Sequence, residues 1–358
     1  MIIGLAIPSL NSGGAERVIC SLANHWADEG HEIHIFKFTS GEAFFDLDNK
    51  IEVHTIETNT DSGIIGKLKN LQLTLKQYKL ALKSAKIEQL ISFMTIVNIY
   101  SIMAARKLKI PVVISERNNL YNTPISFPWN KLRQRLFKKA NAIVLQTVDS
   151  EKCFEDLGIP LPDNKTVIAN PLAPNYIRKI NLDEKSKKII HAGRFDQYKQ
   201  QDLFIEAIAK LDLKDWNVEL VGDGPNRAKV EALMLEKGLQ DQVSFLGKRQ
   251  DLDQLFKTAS IFVMTSNSEG FPNVLCEAMA SACAPISFDC QFGPKDIINT
   301  NNGLLIEVNH LEELSKAIQC LMDNDDKRIA LAQEALNIQE DLNLNMIADQ
   351  WMKLFQSI

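Results

Sequence analysis

Short, nearly continuous apolar runs recur along this chain with helical patterns between most of them, and that alternation constrains the fold more than anything else. In the first half the runs are Ile2–Ile7, Glu32–Phe38, Glu52–Ile56, Gln89–Phe93, Pro111–Ser115, Ala142–Gln146 and Thr166–Ala169. In the second they are Lys188–Ala192, Asn217–Val221, Gln242–Leu246, Ile261–Met264, Ala284–Phe288 and Leu304–Ile306. Strands without polar alternation are covered on both faces, and helices between them supply the crossovers of parallel sheets. The series pauses at Asn170-Pro171-Leu172-Ala173-Pro174 and the charged stretch Asn181–Lys188, the best linker candidate. The expected fold is α/β, with two Rossmann-like domains of parallel sheets facing across a cleft. We expect residues 1–172 as an N-terminal domain, 173–340 as a C-terminal domain, and 341–358 as a helix with Ile347, Trp351, Leu354 and Phe355 on one stripe, packing back at the domain junction.

Composition narrows the class. No apolar run approaches the roughly 20 residues that span a bilayer, and Met1–Leu10 lacks the basic start and small-residue cleavage site of a signal peptide. None of the six cysteines forms a C-x-x-C pair, which fits buried thiols in a reducing compartment. The net charge is −5, but residues 64–139 carry 15 Lys+Arg against only Glu88 and Glu116, a balance of +13. Such a stretch is either a solvated face or a surface that meets something anionic, such as lipid headgroups or a lipid-linked diphosphate. No nucleic-acid-binding motif accompanies it. Phe127–Lys139 reads as a short amphipathic helix with Trp129, Leu132 and Leu136 on one face, fit either to pack internally or to lie on a membrane with Arg133, Arg135 and Lys138 toward the lipid.

The chemistry-bearing residues fall in strand-to-helix turns. In Ser268-Glu269-Gly270-Phe271-Pro272-Asn273-Val274-Leu275-Cys276-Glu277, two carboxylates stand eight residues apart around a turn that opens a helix. A helix N-terminus offers free N–H groups and a partial positive charge to a phosphate. Glu269 can then hold a sugar hydroxyl and Glu277 a ribose, with a diphosphate between them. Arg194 and Lys199 flank the turn after Lys188–Ala192 as a diphosphate clamp. Gly222 in Val221-Gly222-Asp223-Gly224-Pro225 lines the nucleotide side, and Lys248 and Arg249 follow a strand whose end could meet a base through backbone groups. Gly13 and Gly14, between the first strand and first helix, allow close approach to a phosphate or sugar but do not complete a dinucleotide fingerprint. The six histidines show no ligand spacing, and Asp46-Leu47-Asp48 and Asp251-Leu252-Asp253 are weak metal candidates, so no metal is expected.

Gly-Gly-Ala-Glu-Arg near the N-terminus, Gly193-Arg194 with Lys199 five residues after the Arg, and Glu-Gly-Phe-Pro-Asn with a second Glu eight residues on together resemble glycosyltransferase family 4 over essentially the whole chain. The resemblance implies the GT-B fold and retaining, metal-independent transfer. The N-terminal half looks most like bacterial enzymes that use UDP-sugars, N-acetylgalactosamine donors among them, to extend polyprenyl-diphosphate-linked glycans. It further implies that Arg194 and Lys199 bind the donor diphosphate and stabilise departing UDP. Glu269 would bond donor sugar hydroxyls, Gly270, Phe271, Pro272, Asn273 and Val274 would offer backbone groups, Glu277 would hold the ribose, and Gly14 would sit opposite the diphosphate. Many relatives carry a histidine in the segment that here reads Ile114-Ser115-Glu116-Arg117-Asn118, so Arg117 would stand as a cation near acceptor or donor sugar. The enzyme would be cytoplasmic and peripheral on the inner face of the plasma membrane, held through the basic 64–139 region. A catalytically silent sugar-nucleotide-binding scaffold and a transferase with a soluble acceptor are the alternatives. Front-side and covalent routes to retention both remain open at this level.

Overall fold

A computed structural model describes residues 1–11, 13–57 and 64–358, with side chains from 69 onward in the last segment. Ser12 of the first turn and the side chains of 64–68, at the head of the basic stretch, lie outside the described residues.

The chain divides into two compact units, Met1–Pro171 with Leu344–Ile358, and Leu172–Asn343. In the first, strands β1 (Ile2–Ile7), β2 (Glu32–Lys37), β3 (Glu52–Thr55), β4 (Gln89–Phe93), β5 (Val112–Ser115), β6 (Ala142–Leu145) and β7 (Lys165–Val167) form one sheet. Their order is β3-β2-β1-β4-β5-β6-β7, and every pairing is parallel. The helices are α1 (Gly14–Asp28), α2 (Ile64–Ser84), α3 (Thr95–Leu108), α4 (Phe127–Leu136) and α5 (Ser150–Asp156). The second unit pairs β8 (Ser186–Ala192), β9 (Asn217–Val221), β10 (Val243–Gly247), β11 (Ala259–Met264), β12 (Ala284–Phe288) and β13 (Leu304–Ile306) in the order β10-β9-β8-β11-β12-β13, again parallel. Its helices are α6 (Gln201–Ile208), α7 (Arg227–Glu236), α8 (Leu252–Thr258), α9 (Asn273–Ala280), α10 (Pro294–Ile297), α11 (Leu311–Asp323), α12 (Asp325–Ala335) and α13 (Ile338–Asp341). The chain then returns to the first unit in α14 (Leu344–Gln356).

Both strand orders are those of a doubly wound sheet, in which the winding direction reverses beside the first strand. The reversal falls between β1 and β4 in the first unit and between β8 and β11 in the second. Loops leaving adjacent strands diverge there, to opposite faces of the sheet, and open a crevice at the strands' carboxyl ends. The central runs bury as expected, with β5, β6, β11 and β12 buried at every position, but the edge strands β3 and β7, paired on one side only, leave Glu52, Val53 and Thr55, and Lys165 and Val167, exposed.

The last helix closes the first core. Its stripe of Ile347, Trp351, Leu354 and Phe355 is buried. The Trp351 ring lies 6.1 Å from Phe93 at the end of β4, and Phe355 lies 6.2 Å from Trp26 of α1. Truncating a fully buried side chain such as Trp351 to alanine typically costs about 3–5 kcal/mol.

Candidate active site

At the carboxyl edge of the second sheet, three glycine-bearing turns are tied together. Gly193 N–H donates to the Val221 carbonyl (2.9 Å), Phe195 N–H to the Asp223 carbonyl (3.0 Å), and Gly222 N–H to the Gly247 carbonyl (2.8 Å). A Cβ on Gly222 would stand 1.9 Å from the Gly193 carbonyl oxygen, and one on Gly224 2.4 Å from that of Phe195. Gly222 also holds φ +135°. These glycines let the backbones after β8 and β9 touch, which fixes the turn carrying Arg194 and Lys199. Gly222 therefore has its place by close backbone approach to Gly193. Beyond β10, Lys248 is exposed, and the Arg249 guanidinium is paired with Asp251 at 2.6 and 2.8 Å.

The switch point of this sheet brings the two main motifs together. Lys199 follows β8, Glu269 follows β11, and Lys199 Nζ lies 2.5 Å from Glu269 Oε1 with the side chains only 20% and 10% exposed. The Thr265 hydroxyl at the end of β11 reaches the carbonyls of Lys199 (2.8 Å) and Gln200 (3.0 Å), and His191 Nε2 donates to that hydroxyl (3.0 Å). Burial first, and then the Lys199 charge, lower His191 to about 3, so it stays neutral. The tie of His191 to Thr265 depends on the pairing of β8 with β11. Arg194, by contrast, is 73% exposed, its Nε 3.9 Å from Asp196 Oδ2. One turn thus carries an exposed cation and an enclosed one.

Helix α9 begins at Asn273, with Pro272 as its N-cap. Pro272 thus precedes the first helical residue, and its missing N–H removes no helical bond. Gly293 packs on it: a Cβ there would meet Pro272 Cδ at 2.3 Å. Gly270 and Val274 are half-buried and Phe271 is buried. Glu277 is 3% exposed, one turn into α9. Cys290 is enclosed near the pair, its thiol pushed up to about 12 by burial and next by the Glu269 charge.

In the first unit, Gly13 caps α1 and Gly14 begins it at the end of β1, where Ser9 Oγ donates to Glu16 Oε1 (3.1 Å). Across the switch point, Met94, between β4 and α3, holds φ +77°, a backbone region that side-chain-bearing residues rarely adopt. A pocket of about 410 Å³ opens there, lined by Phe38, Met94, Thr95, Ile96, Tyr100 and Ile125 among others. Thr95 donates to the buried Glu116 carboxylate, which burial pushes up to about 7 against the lowering effects of that bond, the Arg133 cation and two backbone N–H groups.

Arg117 does not stand at a surface. It is 7% exposed, donates to Asn170 Oδ1, and lays its guanidinium 3.9 Å from the Phe93 ring centre and 5.8 Å from that of Trp351. Burial lowers its pKa to about 9, which still leaves it cationic at neutral pH. The cation expected from sequence is thus enclosed, held between the sheet and α14.

The helix at 127–139 is also turned differently from its pattern. α4 is followed by a 3-10 turn at Phe137–Lys139, and Arg133 (4% exposed) and Phe137 are buried. Trp129 meets Tyr100 of α3 at 5.4 Å. Arg133 is drawn inward by the buried Glu116 carboxylate, which apolar periodicity does not register. It is therefore not a membrane-facing residue. Lys131, Arg135, Lys138 and Lys139 are exposed, as is Phe127 at 75%. Of the weak metal candidates, Asp251 is paired with Arg249, Asp253 with Arg178 (3.0 Å), and Asp48 accepts from Lys50 N–H (2.8 Å). The histidines are not all scattered: pairing of β2 with β3 brings His34 and His54 together. Among the described residues no helix is long and apolar enough to cross a membrane.

Residues 173–337 match the family model described as glycosyl transferases group 1, and residues 12–176 the one described as glycosyltransferase family 4. Over 366 positions the chain is 30% identical to the GalNAc-alpha-(1->4)-GalNAc-alpha-(1->3)-diNAcBac-PP-undecaprenol alpha-1,4-N-acetyl-D-galactosaminyltransferase of Campylobacter jejuni, covering 100% of this chain and 99% of the relative. A second transferase of that organism, named for N-acetylgalactosamine-N,N'-diacetylbacillosaminyl-diphospho-undecaprenol, is 26% identical over 93% of each chain. The crystal structure of Anabaena HepE in complex with UDP superposes with a TM-score of 0.84 at 19% identity, covering 100% of both chains. That likeness shows the fold, GT-B.

Proposed function

This chain belongs to glycosyltransferase family 4, and from that premise we propose that it moves a hexose or N-acetylhexosamine from a UDP-sugar to a saccharide on a polyprenyl diphosphate, with retention and without a metal. The observation that carries the reading is the Lys199–Glu269 pair at the switch point of the second sheet. The names of the Campylobacter relatives support the acceptor class.

The chemistry needs a developing negative charge to be met. As the donor C1–O bond breaks, its electron pair goes to the diphosphate oxygen. Lys199, Arg194 and the first-turn N–H groups of α9 are assigned to that oxygen and its neighbours, doing by fixed charge what a metal does elsewhere. Glu269 is assigned to donor hydroxyls, which aligns the sugar and keeps Lys199 in place. Glu277 takes the ribose, and the backbone from Gly270 to Val274 the sugar and phosphate. The acceptor hydroxyl bonds to C1 on the face the diphosphate leaves, and its proton passes to the leaving phosphate oxygen. In the first unit, the apolar pocket at the ends of β2 and β4 suits part of an acceptor that carries an isoprenoid chain.

The exposed cations Lys131, Arg135, Lys138 and Lys139 suit an anionic leaflet, the proposed working surface. Calorimetric titration with UDP, GDP and ADP, followed by transfer from UDP-sugars to a polyprenyl-diphosphate saccharide in EDTA, tests the proposal. UDP-selective binding and an α-linked product from an α-donor are expected. An inverted anomer, or activity abolished by EDTA and restored by metal, would overturn the corresponding part.

A further inference from the structure

On the outer edge of the first sheet lies a cluster that the donor chemistry does not use. Strands β2 and β3 pair in parallel with His34 opposite Glu52 and Phe36 opposite His54. Residues two apart share one face of a strand, so Glu32 and His34 of β2 and Glu52 and His54 of β3 project to the same side. There three ligand-type atoms converge. His34 Nδ1 is 3.0 Å from His54 Nε2 and 3.4 Å from Glu52 Oε2, and His54 Nε2 is 3.6 Å from that same oxygen.

We propose that His34, His54 and Glu52 form a binding site for a divalent first-row transition ion, zinc foremost. The separations carry the geometry. Bonds of roughly 2.0–2.1 Å at a tetrahedral centre put neighbouring ligand atoms about 3.3–3.4 Å apart, and the three observed distances bracket that value. The donor set carries the selectivity: two imidazole nitrogens and one carboxylate suit zinc and its neighbours, whereas calcium and magnesium take all-oxygen sets.

Two supports make the site more than a meeting of side chains. The far nitrogen of His34, Nε2, lies 3.0 Å from Glu32 Oε1. That bond places the imidazole proton on Nε2 and turns the Nδ1 lone pair inward, the carboxylate–histidine arrangement that orients a metal ligand. His54 is held by stacking on Phe36, with ring centres 4.9 Å apart and planes 15° from parallel. His34 is buried while Glu52 is 67% exposed, so an ion can enter from solvent and keep a water as its fourth ligand. β3 is the edge strand of its sheet, and the ion would pin it to β2 through side chains from both.

The test is titration of the tag-free, metal-stripped full chain with Co2+, read by its visible absorption, then displacement by Zn2+. One Co2+ per chain with the intense bands of a four-coordinate ion, displaced by Zn2+, is expected. His54→Ala and Glu52→Gln should each weaken binding by about tenfold or more. Glu32→Gln, which touches no ion, should weaken it about 10- to 100-fold through His34. His54 and Glu52 lie on an edge strand and are not fully buried, so these variants should fold, as circular dichroism checks. Weak octahedral-type bands only, or an affinity unchanged in the His54→Ala/Glu52→Gln double variant, would overturn the site. Both readouts are independent of sugar transfer.

Discussion

Lys199 Nζ and Glu269 Oε1 stand 2.5 Å apart, joined from turns 70 residues distant in sequence. The pair fixes a cation and a carboxylate at one point of the second sheet's edge. Lys199→Ala should lower kcat/KM on the order of 100- to 1,000-fold, the usual cost of one preorganised charge donor. Glu269→Gln should also impair turnover. If the two work as a unit, the double variant should lose much less than the product of the single losses. Near-normal turnover in Lys199→Ala would remove Lys199 from the clamp.

Gly222 offers a structural test of the same edge. With φ +135° and a virtual Cβ 1.9 Å from the Gly193 carbonyl oxygen, Gly222→Ala must move backbone. We expect destabilisation on the order of 3 kcal/mol or more, and weaker UDP binding in the folded fraction. Gly30 is the control, at φ +86° with nothing within 4 Å of its virtual Cβ. Gly30→Ala should cost only the left-handed strain, about 1–2 kcal/mol. Thermal unfolding of both variants decides.

Glu116 predicts a pH dependence. Burial raises its carboxyl from an ordinary 4.5 to about 7. Between those values the folded protein holds a proton that the unfolded chain has released. Its stabilising contribution is therefore complete below about 4.5, falls as pH rises through that window, and is gone above about 7. Glu116→Gln should flatten the stability profile between pH 4.5 and 7, as denaturant melts at several pH values will show. A profile unchanged in slope would mean that Glu116 titrates normally.

The basic surface is testable once the helix orientation is known. Charge reversal at Arg135 and Lys138, both exposed, should weaken binding to anionic vesicles and leave the fold intact. Arg133→Glu should instead destabilise the protein, because it sets a second carboxylate near buried Glu116. Vesicle binding that is absent, or insensitive to salt and to these reversals, would remove the membrane contact.

Much of this protein was legible without coordinates. Apolar runs located the strands of the two sheets, because strand and helix patterning are properties of neighbouring residues. The motif turns were likewise found at strand ends, and α14 kept its predicted stripe. What the sequence could not settle was which ends adjoin. Strand order decides that, and it put Lys199 beside Glu269, and His34 beside His54, across long stretches of chain. The direction of charged side chains was equally out of reach. Hydrophobic periodicity says nothing of where Arg117 and Arg133 point; the packed first unit holds one against Phe93 and Asn170 and the other near Glu116. A buried cation is retained only where an aromatic face, a carbonyl or a carboxylate meets it, and those partners come together only when the sheet has formed.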